Sequence, residues 1–345
     1  MRKPGRLRQR PPIEQLAAGL AAANQSRRNR VDLQRSSRTA GSLATRYWQP
    51  RYWPAWALVL WLRLTAALPW RAAVGMHKVL GRAAGALPTR RRRIVRRNLE
   101  ICFPHLEPAA VAALAARHFE SVGAFLAELA LAWFKSPDRL KHLFRVEGTE
   151  HLEAALAKGK GVLLYSGHFT TLEICVPMIK SLVPLYAFMF RPRRNRLLNE
   201  FQSRGRASGA HVSVANNDVR GILALLARNA VVWYAPDQAR IDSGELVPFF
   251  SEPAMTSTAP SRLARLSGAA VVPLFFRRLP HGGGYLLRFQ APLDDLPSQD
   301  AVHDTVRLTA VLEEFVRECP HQYFWTHRRF KDRPGDRDAY EGTTA

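Results

Sequence analysis

The sequence has few cysteines and lacks the common nucleotide-binding motifs. Three of its 345 residues are cysteine, at positions 102, 175 and 319, with neither a metal-ligand spacing nor a disulfide framework. We therefore expect three buried thiols in a protein of a reducing compartment. Neither a GxxxxGK phosphate loop nor a GxGxxG fingerprint is present, so nucleotide binding has no support.

Acidic residues are also scarce: 28 Asp and Glu face 51 Lys and Arg, which gives a net charge of +23. Such an excess implies an anionic partner, which could be a nucleic acid, an anionic membrane surface, or an acidic protein or substrate. Residues 1–51 carry twelve basic and two acidic side chains and little apolar content. We expect residues 1–50 to be a basic, disordered extension.

A second concentration of charge places six arginines in residues 90–97. It predicts either a solvated helix face or a contact with phosphates of phospholipid or substrate, at about 1 kcal/mol per cation near an anionic leaflet. Aromatic residues are not interleaved with these arginines, which weakens an interpretation as a single-stranded nucleic-acid site.

The most apolar stretch covers residues 52–70 and includes four tryptophans, which suit a membrane interface. It is barely long enough to span a bilayer, and Arg63 near its middle costs ~2.5–3.5 kcal/mol on insertion scales. We expect residues 51–88 to form a membrane-associated helical segment that lies in the cytoplasmic leaflet. A single-pass helix and an ordinary core helix remain alternatives.

Residues 108–134 predict one long helix, and from about residue 144 strand and helix patterns alternate. This alternation predicts an α/β fold with a mixed, mainly parallel central sheet flanked by helices. The triple glycine at 282–284 predicts a turn between two antiparallel strands. The predicted strands are 161–165, 185–190, 211–214, 231–235, 246–250, 270–275 and 285–290, and the predicted helices between them are 170–182, 193–208, 217–228 and 257–267.

His168 follows the apolar strand 161–165 and the pair Ser166-Gly167, where open α/β sheets place their active sites. Glu173 is five residues further on and could reach His168 only if His168 lies in the turn and Glu173 in the first helical turn. The carboxylate would then orient the imidazole, which would act as a general base. The alternative is structural, because Thr170-Thr171-Leu172-Glu173 is also a capping-box sequence.

Several ordered blocks are similar to those of the lipid A biosynthesis late acyltransferases, a family with a His-x4-Asp/Glu motif. The resemblance covers roughly residues 50–335. Its blocks are Arg97-Asn98-Leu99 with Cys102-Phe103-Pro104, Gly161 to Glu173, Phe190-Arg191-Pro192-Arg193-Arg194-Asn195, Gly205-Arg206, Pro236-Asp237-Gln238, Phe249 to Thr256, and Pro320 to Lys331.

The resemblance implies transfer of a fatty acyl group from acyl carrier protein to a hydroxyl on an acyl chain of a Kdo-bearing lipid A precursor. His168 would be the general base and Glu173 the residue that orients it, with no covalent enzyme intermediate and no cofactor. Substrate-binding roles are implied for Arg191, Asn195, Arg206 and Asp237. The acyltransferase domain would cover residues 89–335, followed by a tail at 336–345, on the cytoplasmic face of a bacterial inner membrane.

Three positions depart from the family pattern: Ala239 replaces a second carboxylate, Arg196 a common proline and Ser251 a common glycine. None of these three positions lies within the His-x4-Glu motif. An acyltransferase for another glycolipid, such as a phosphoinositide mannoside, is the alternative within the same class. A basic nucleic-acid-binding protein is the alternative of another class, but it leaves the ordered blocks unexplained.

Overall fold

The structure is a computed structural model that describes residues 43–190, 195–209, 211–238, 244–250, 252–331 and 339–340. Of residues 1–50, which are expected to be disordered, residues 1–42 lie outside the described residues. The chain divides into two compact units, Met1–Trp53 and Pro54–Ala345. Within the described part of the first unit, a short helix α1 (Leu43–Arg46) precedes a 3-10 turn, and the rings of Tyr47 and Tyr52 pack edge to face.

A seven-stranded sheet forms the centre of the second unit, in the order β1-β9-β8-β2-β5-β3-β4. All of its neighbouring pairs are parallel except the antiparallel pair of β8 and β9, so the predicted α/β class and the predicted hairpin are confirmed. The strands are β1 (Phe144–Glu147), β2 (Val162–Tyr165), β3 (Tyr186–Phe190), β4 (Val212–Ala215), β5 (Val231–Tyr234), β8 (Ala270–Arg278) and β9 (Tyr285–Phe289).

A separate two-stranded antiparallel ribbon contains β6 (Glu245–Phe249) and β7 (Glu252–Thr256). The sequence predicted a strand near β6 but not β7, nor the edge strand β1. Pro248 and Pro253 face each other across the ribbon. Because proline cannot donate a ladder hydrogen bond, these segments are poorly suited to the interior of a larger sheet.

Helices cover the sheet and extend from it. The apolar stretch predicted as one segment is two helices, because Leu68-Pro69 interrupts it and proline cannot continue a helix. The helices of this unit are α2 (Trp53–Ala67, whose first residue ends the first unit), α3 (Trp70–Ala86), α4 (Arg90–Cys102), α5 (Pro108–Phe134), α6 (Thr149–Ala157), α7 (Leu172–Leu182), α8 (Arg196–Gly209), α9 (Val219–Leu226), α10 (Ala259–Ser267) and α11 (Ala301–Glu318).

Helix α5 has the predicted bounds and is the one helix among the described residues that is long and apolar enough to cross a membrane. Helix α5 also packs closely against helix α3. A Cβ atom at Gly123 would lie 2.0 Å from the His77 carbonyl oxygen, and one at Gly81 2.3 Å from the Phe119 carbonyl oxygen. Helices α3 and α5 therefore cross with their backbones in contact, which only glycine permits.

A buried ion pair joins α5 to the sheet. The Arg278 guanidinium at the end of β8 donates to both carboxylate oxygens of Glu128, at 2.6 and 2.8 Å, and to Ser121 Oγ at 3.1 Å. Although burial lowers the pKa of Arg278, the Glu128 carboxylate raises it above its usual value. The three cysteines are buried and form no disulfide, as predicted.

Candidate active site

His168 lies at the carboxyl edge of the sheet, immediately after the fully buried strand β2. Strand β2 pairs in parallel with both β5 and β8, so its end is held on two sides. The backbone N–H of Ser166 continues this pairing by donating to the Tyr234 carbonyl at 3.1 Å. The His168 side chain is 26% exposed, which leaves part of the imidazole accessible at the surface.

Asp237 follows the neighbouring strand β5 and binds His168 through both carboxylate oxygens. Oδ1 lies 2.6 Å from His168 Nδ1, and Oδ2 accepts the backbone N–H of His168 at 2.9 Å. Oδ2 also accepts the hydroxyl of Tyr323 at 2.9 Å. The Asp237 side chain is 1% exposed, so protein donors surround it.

The electrostatic environment keeps Asp237 ionised. Burial raises its pKa, but the charge of His168, the two hydrogen bonds from His168 and the charge of Arg329 together lower it well below its usual range. An ionised carboxylate at Nδ1 fixes the proton on that nitrogen and leaves Nε2 as the proton acceptor. The pair therefore has the arrangement of a general base and its orienting carboxylate.

Arg329 reaches the site from the C-terminal segment. Its guanidinium donates to Thr256 Oγ1 at 2.6 Å and to the Met255 carbonyl, both on β7, and lies over the ring of Phe249 on β6. Arg329 is 3% exposed, and its charge helps to lower the pKa of Asp237. The small ribbon β6–β7 thus anchors a buried cation near the orienting carboxylate.

Aromatic rings and a second histidine complete the surroundings. The imidazole of His168 packs edge to face on Trp233, whose ring stacks on Phe188. The Trp233 indole nitrogen is buried and has no hydrogen-bond partner in the described part of the chain. His327 interacts electrostatically with both His168 and Asp237, and burial lowers its pKa to about 4, so it is neutral near pH 7.

Glu173 is the second residue of α7 and is 5% exposed. Its Oε2 accepts a hydrogen bond from the Trp133 indole at 3.5 Å. The predicted capping box does not form in its expected register, because the helix begins at Leu172 and Thr171 is an N-cap residue without a side-chain capping bond. Thr170 instead bonds through its hydroxyl to Ser121, at 2.7 Å.

These contacts bear on two expected roles. The carboxylate at His168 Nδ1 is that of Asp237, whereas the sequence assigned the orienting role to Glu173. The substrate contact expected for Asp237 stays a prediction; its side chain is 1% exposed, and His168 and Tyr323 donate to its two oxygens. A catalytic contribution of Glu173 stays a prediction.

The structure locates some of the remaining predicted site residues but not all of them. Arg191 lies outside the described residues. Asn195 Oδ1 accepts the Leu198 backbone N–H at 3.1 Å, so this side chain caps the start of α8. Arg206 belongs to α8, next to Gly205, whose Cβ position is 2.5 Å from the Trp133 ring. Trp133 therefore lies between α8 and the Glu173 carboxylate.

Sequence reasoning gave no role to Tyr323, Arg329 or His327, although all three lie in the C-terminal block 320–331. The signal that could have found them is their position in the block 320–331, which lies beyond the last predicted strand. What the sequence could not supply was the contact of this block with the ends of β2 and β5.

The α/β sheet and the His168–Asp237 pair at its carboxyl edge form a site with a titratable imidazole and an orienting carboxylate, an arrangement found in enzymes that use general-base catalysis. Residues 42–332 match the family model described as bacterial lipid A biosynthesis acyltransferase. The chain belongs to this family and is an acyltransferase of lipid A biosynthesis.

Named relatives agree with the family. The lipid A biosynthesis lauroyltransferase of Escherichia coli K12 is 37% identical over 287 residues, which cover 83% of this chain and 94% of the relative. The palmitoleoyltransferase of the same strain is 34% identical over 289 residues, covering 83% and 93%. Its myristoyltransferase is 27% identical over 297 residues, covering 85% and 91%. These three relatives are named for three different acyl groups.

Proposed function

We propose that the protein transfers a fatty acyl chain from acyl carrier protein to a hydroxyl on an acyl chain of a Kdo-bearing lipid A precursor. The observation that carries the proposal is the His168–Asp237 pair, in a chain whose relatives are lipid A acyltransferases. No cofactor is required, because the thioester donor is already activated. The acidic carrier protein and the phosphorylated acceptor both complement the net charge of +23.

The reaction needs one base and one site for developing negative charge. Nε2 of His168 takes the proton of the acceptor hydroxyl while the hydroxyl oxygen attacks the thioester carbonyl carbon. The C–S bond then breaks, and the imidazolium returns the proton to the leaving thiolate. Asp237 holds the imidazole and stabilises the imidazolium.

Other predicted side chains have supporting roles in this proposal. We assign Arg191 and Arg206 to the acceptor's phosphate or carboxylate groups, or to the anionic transition state. Glu173 contributes from behind Trp133, where its buried carboxylate accepts the indole N–H. Asn195 acts by starting α8, the helix that carries Arg206.

An assay with purified protein tests the proposal. Acyl carrier protein loaded with one fatty acid is incubated with a Kdo-bearing lipid A precursor, and mass spectrometry follows the product. We expect the acceptor to gain the mass of one acyl chain, and His168→Ala to abolish the gain. Transfer only to a phosphoinositide mannoside would overturn the acceptor, and tight salt-dependent nucleic-acid binding without transfer would overturn the enzyme class.

We also propose that α2 and α3 dock the protein on the cytoplasmic leaflet of the inner membrane. The two helices touch, since the Trp61 indole N–H donates to His77 Nε2 at 3.0 Å. Helix α2 has 15 residues, or about 22 Å, which is short of the ~30 Å hydrocarbon core. This length favours an interfacial position. Both helices expose large apolar side chains: Leu58, Leu60, Trp61, Leu64, Met76, Val79 and Leu80.

The basic helix α4 lies against the C-terminal end of α3, because the Arg92 guanidinium donates to the carbonyl of Ala86, the last residue of α3. Exposed arginines beside an apolar face suit an anionic leaflet. We expect Leu60→Ser with Leu64→Ser to lower binding to anionic vesicles about tenfold. Leu266→Ser is the matched control, because Leu266 is 69% exposed on α10, and equal losses in both variants would contradict the docking face.

A further inference from the structure

The C-terminal segment that carries Tyr323 is tied directly to the turn that carries His168. The Thr170 backbone N–H donates to the Gln322 carbonyl at 2.8 Å, and the Phe324 N–H donates to the His168 carbonyl at 2.9 Å. Phe169 and Tyr323 form an antiparallel bridge between these bonds. The backbones of both sides of the site are therefore held in one register.

The same segment is tied to the sheet. The Gln322 side chain accepts the Arg278 backbone N–H at 2.8 Å and donates to the Arg278 carbonyl at 2.9 Å. Arg278 is the last residue of β8, which pairs with β2. Tyr323 is thus attached to a strand next to the one that delivers His168, and its ring has little freedom to move.

From this position the Tyr323 hydroxyl donates to Asp237 Oδ2 at 2.9 Å, and the residue is 3% exposed. Burial and the nearby Asp237 charge raise the pKa of Tyr323 well above its usual value. The hydroxyl consequently stays protonated throughout the neutral range and remains a donor to the carboxylate.

We propose that Tyr323 is a positioning residue, whose hydroxyl fixes the Asp237 carboxylate so that it presents Oδ1 to His168 Nδ1. Tyr323 also sets the basicity of His168. Each donor to Asp237 draws off part of the carboxylate charge, which would otherwise stabilise the imidazolium. The part of this proposal that concerns turnover rests on the proposed function.

Tyr323→Phe removes only the hydroxyl. We expect kcat to fall about tenfold while KM changes less than about twofold, because the group acts through Asp237 and not on the substrate. The acid limb of the kcat/KM profile should move to higher pH by about half a unit, because the less neutralised carboxylate raises the pKa of the imidazole. An unchanged profile with wild-type kcat would overturn the proposal.

Tyr340→Phe is the matched control. Its hydroxyl is also buried and hydrogen-bonded, but it donates to Asn98 Oδ1 and accepts the Phe330 N–H. We expect a loss of stability without a shift of the acid limb. An equal shift in both variants would show that Tyr323 acts only through general stability.

A double-mutant cycle tests the route through Asp237. In an Asp237→Asn background, Tyr323→Phe should change kcat less than about twofold, because the carboxylate it acts on is already gone. A full tenfold loss in that background would mean that Tyr323 acts by another route. If Tyr323→Phe fails to fold, 3-fluorotyrosine at position 323 replaces it. This stronger donor should move the acid limb to lower pH, and no movement would overturn the proposal.

A substrate-free measurement separates this proposal from the proposed function. Diethyl pyrocarbonate modifies neutral imidazole, so the pH dependence of modification at His168, resolved by peptide mass spectrometry, reports its pKa. We expect that pKa to rise by about half a unit in Tyr323→Phe and to stay constant in Tyr340→Phe. A shift in a protein that transfers no acyl group would support the role of Tyr323 and refute the proposed function. Normal transfer without any shift would refute the role of Tyr323 alone.

Discussion

Two buried carboxylates in this protein, Glu128 and Asp237, each bind a side chain that carries or can take up a positive charge. The two pairs differ in how exposed that partner is. Glu128 is fully buried and its partner Arg278 is 7% exposed. Asp237 is 1% exposed, but the side chain of its partner His168 is 26% exposed.

The Glu128 pair is closed. Arginine does not lose its proton in proteins, and here all three guanidinium nitrogens donate to Glu128 or Ser121. The Asp237 pair is open, because one imidazole nitrogen is bound and the other can exchange a proton with a ligand. Under the proposed function, only the Asp237 pair can take part in the reaction, because its partner can titrate and can be reached.

The largest effect should come from the open pair. We expect His168→Ala to abolish transfer and Asp237→Asn to lower kcat by about 10³–10⁴-fold, because the imidazole then loses its tautomer and its charge partner. Steady-state kinetics on folded protein measures both. A loss below tenfold in Asp237→Asn would remove the distinction between the two pairs.

Glu173→Ala tests whether a second carboxylate belongs with the open pair. We expect transfer to fall by about 100-fold or more while the unfolding midpoint moves little, because Glu173 lies in the first turn of α7, five residues after His168. Glu173→Gln is the companion variant, since it keeps an acceptor for the Trp133 indole. Loss of stability with normal turnover per folded molecule would assign Glu173 to the scaffold.

The closed pair should respond in stability. Arg278→Met leaves the Glu128 carboxylate buried without its cation, which costs about 3–5 kcal/mol in the free energy of unfolding. Urea unfolding measures the change, and kcat of the remaining folded enzyme should stay within about threefold. Replacing both partners together, as Glu128→Leu with Arg278→Met, should restore part of the lost stability. If it does not, the pair is more than a satisfied core contact.

The stability of the protein should also depend on pH. The pKa values of His118, His321 and His327 are lowered to about 4, mainly by burial. Between about pH 4 and 6.5 the unfolded chain therefore binds more protons, so stability increases with pH in this window. The depressed pKa of Asp237 acts differently, since its contribution is complete above its unfolded pKa of ~3.9 and is lost only below it.

Unfolding midpoints from pH 4 to 7 test this sign. We expect a rise with pH, reduced in His118→Gln, because His118 is fully buried and bonds through Nδ1 to the His321 carbonyl. Asp237→Asn should leave the slope between pH 5 and 7 unchanged. A flat wild-type profile would contradict the burial of these histidines.

The core of the fold was predictable because its strands are buried apolar runs, such as 231–235, bounded by turn residues. Strand β1 was missed because its residues are partly exposed at the sheet edge, and β7 because Pro253 argues against a strand. His168 was found because strand, turn and helix signals meet there.

The partner of His168 was not predictable in the same way. Asp237 is 69 residues away, and its contact with His168 depends on β5 lying next to β2, which local patterns do not specify. Glu173 was favoured because the resemblance to a His-x4-Asp/Glu motif implied that role. The roles of Tyr323 and Arg329 depend on a segment that returns from the far end of the chain.

The glycine crossing of α3 and α5 has a consequence for the geometry of the substrate. The same helix α5 touches α3 through Gly123, the sheet through Glu128 and the Glu173 carboxylate through Trp133. If α3 rests on the leaflet as proposed, His168 is then held at a fixed height above the lipid by a chain of rigid contacts. The enzyme would then select acceptor hydroxyls by their depth in the membrane. A bulkier residue at position 123 would change the height of His168, and so the selected hydroxyl, without changing the reaction.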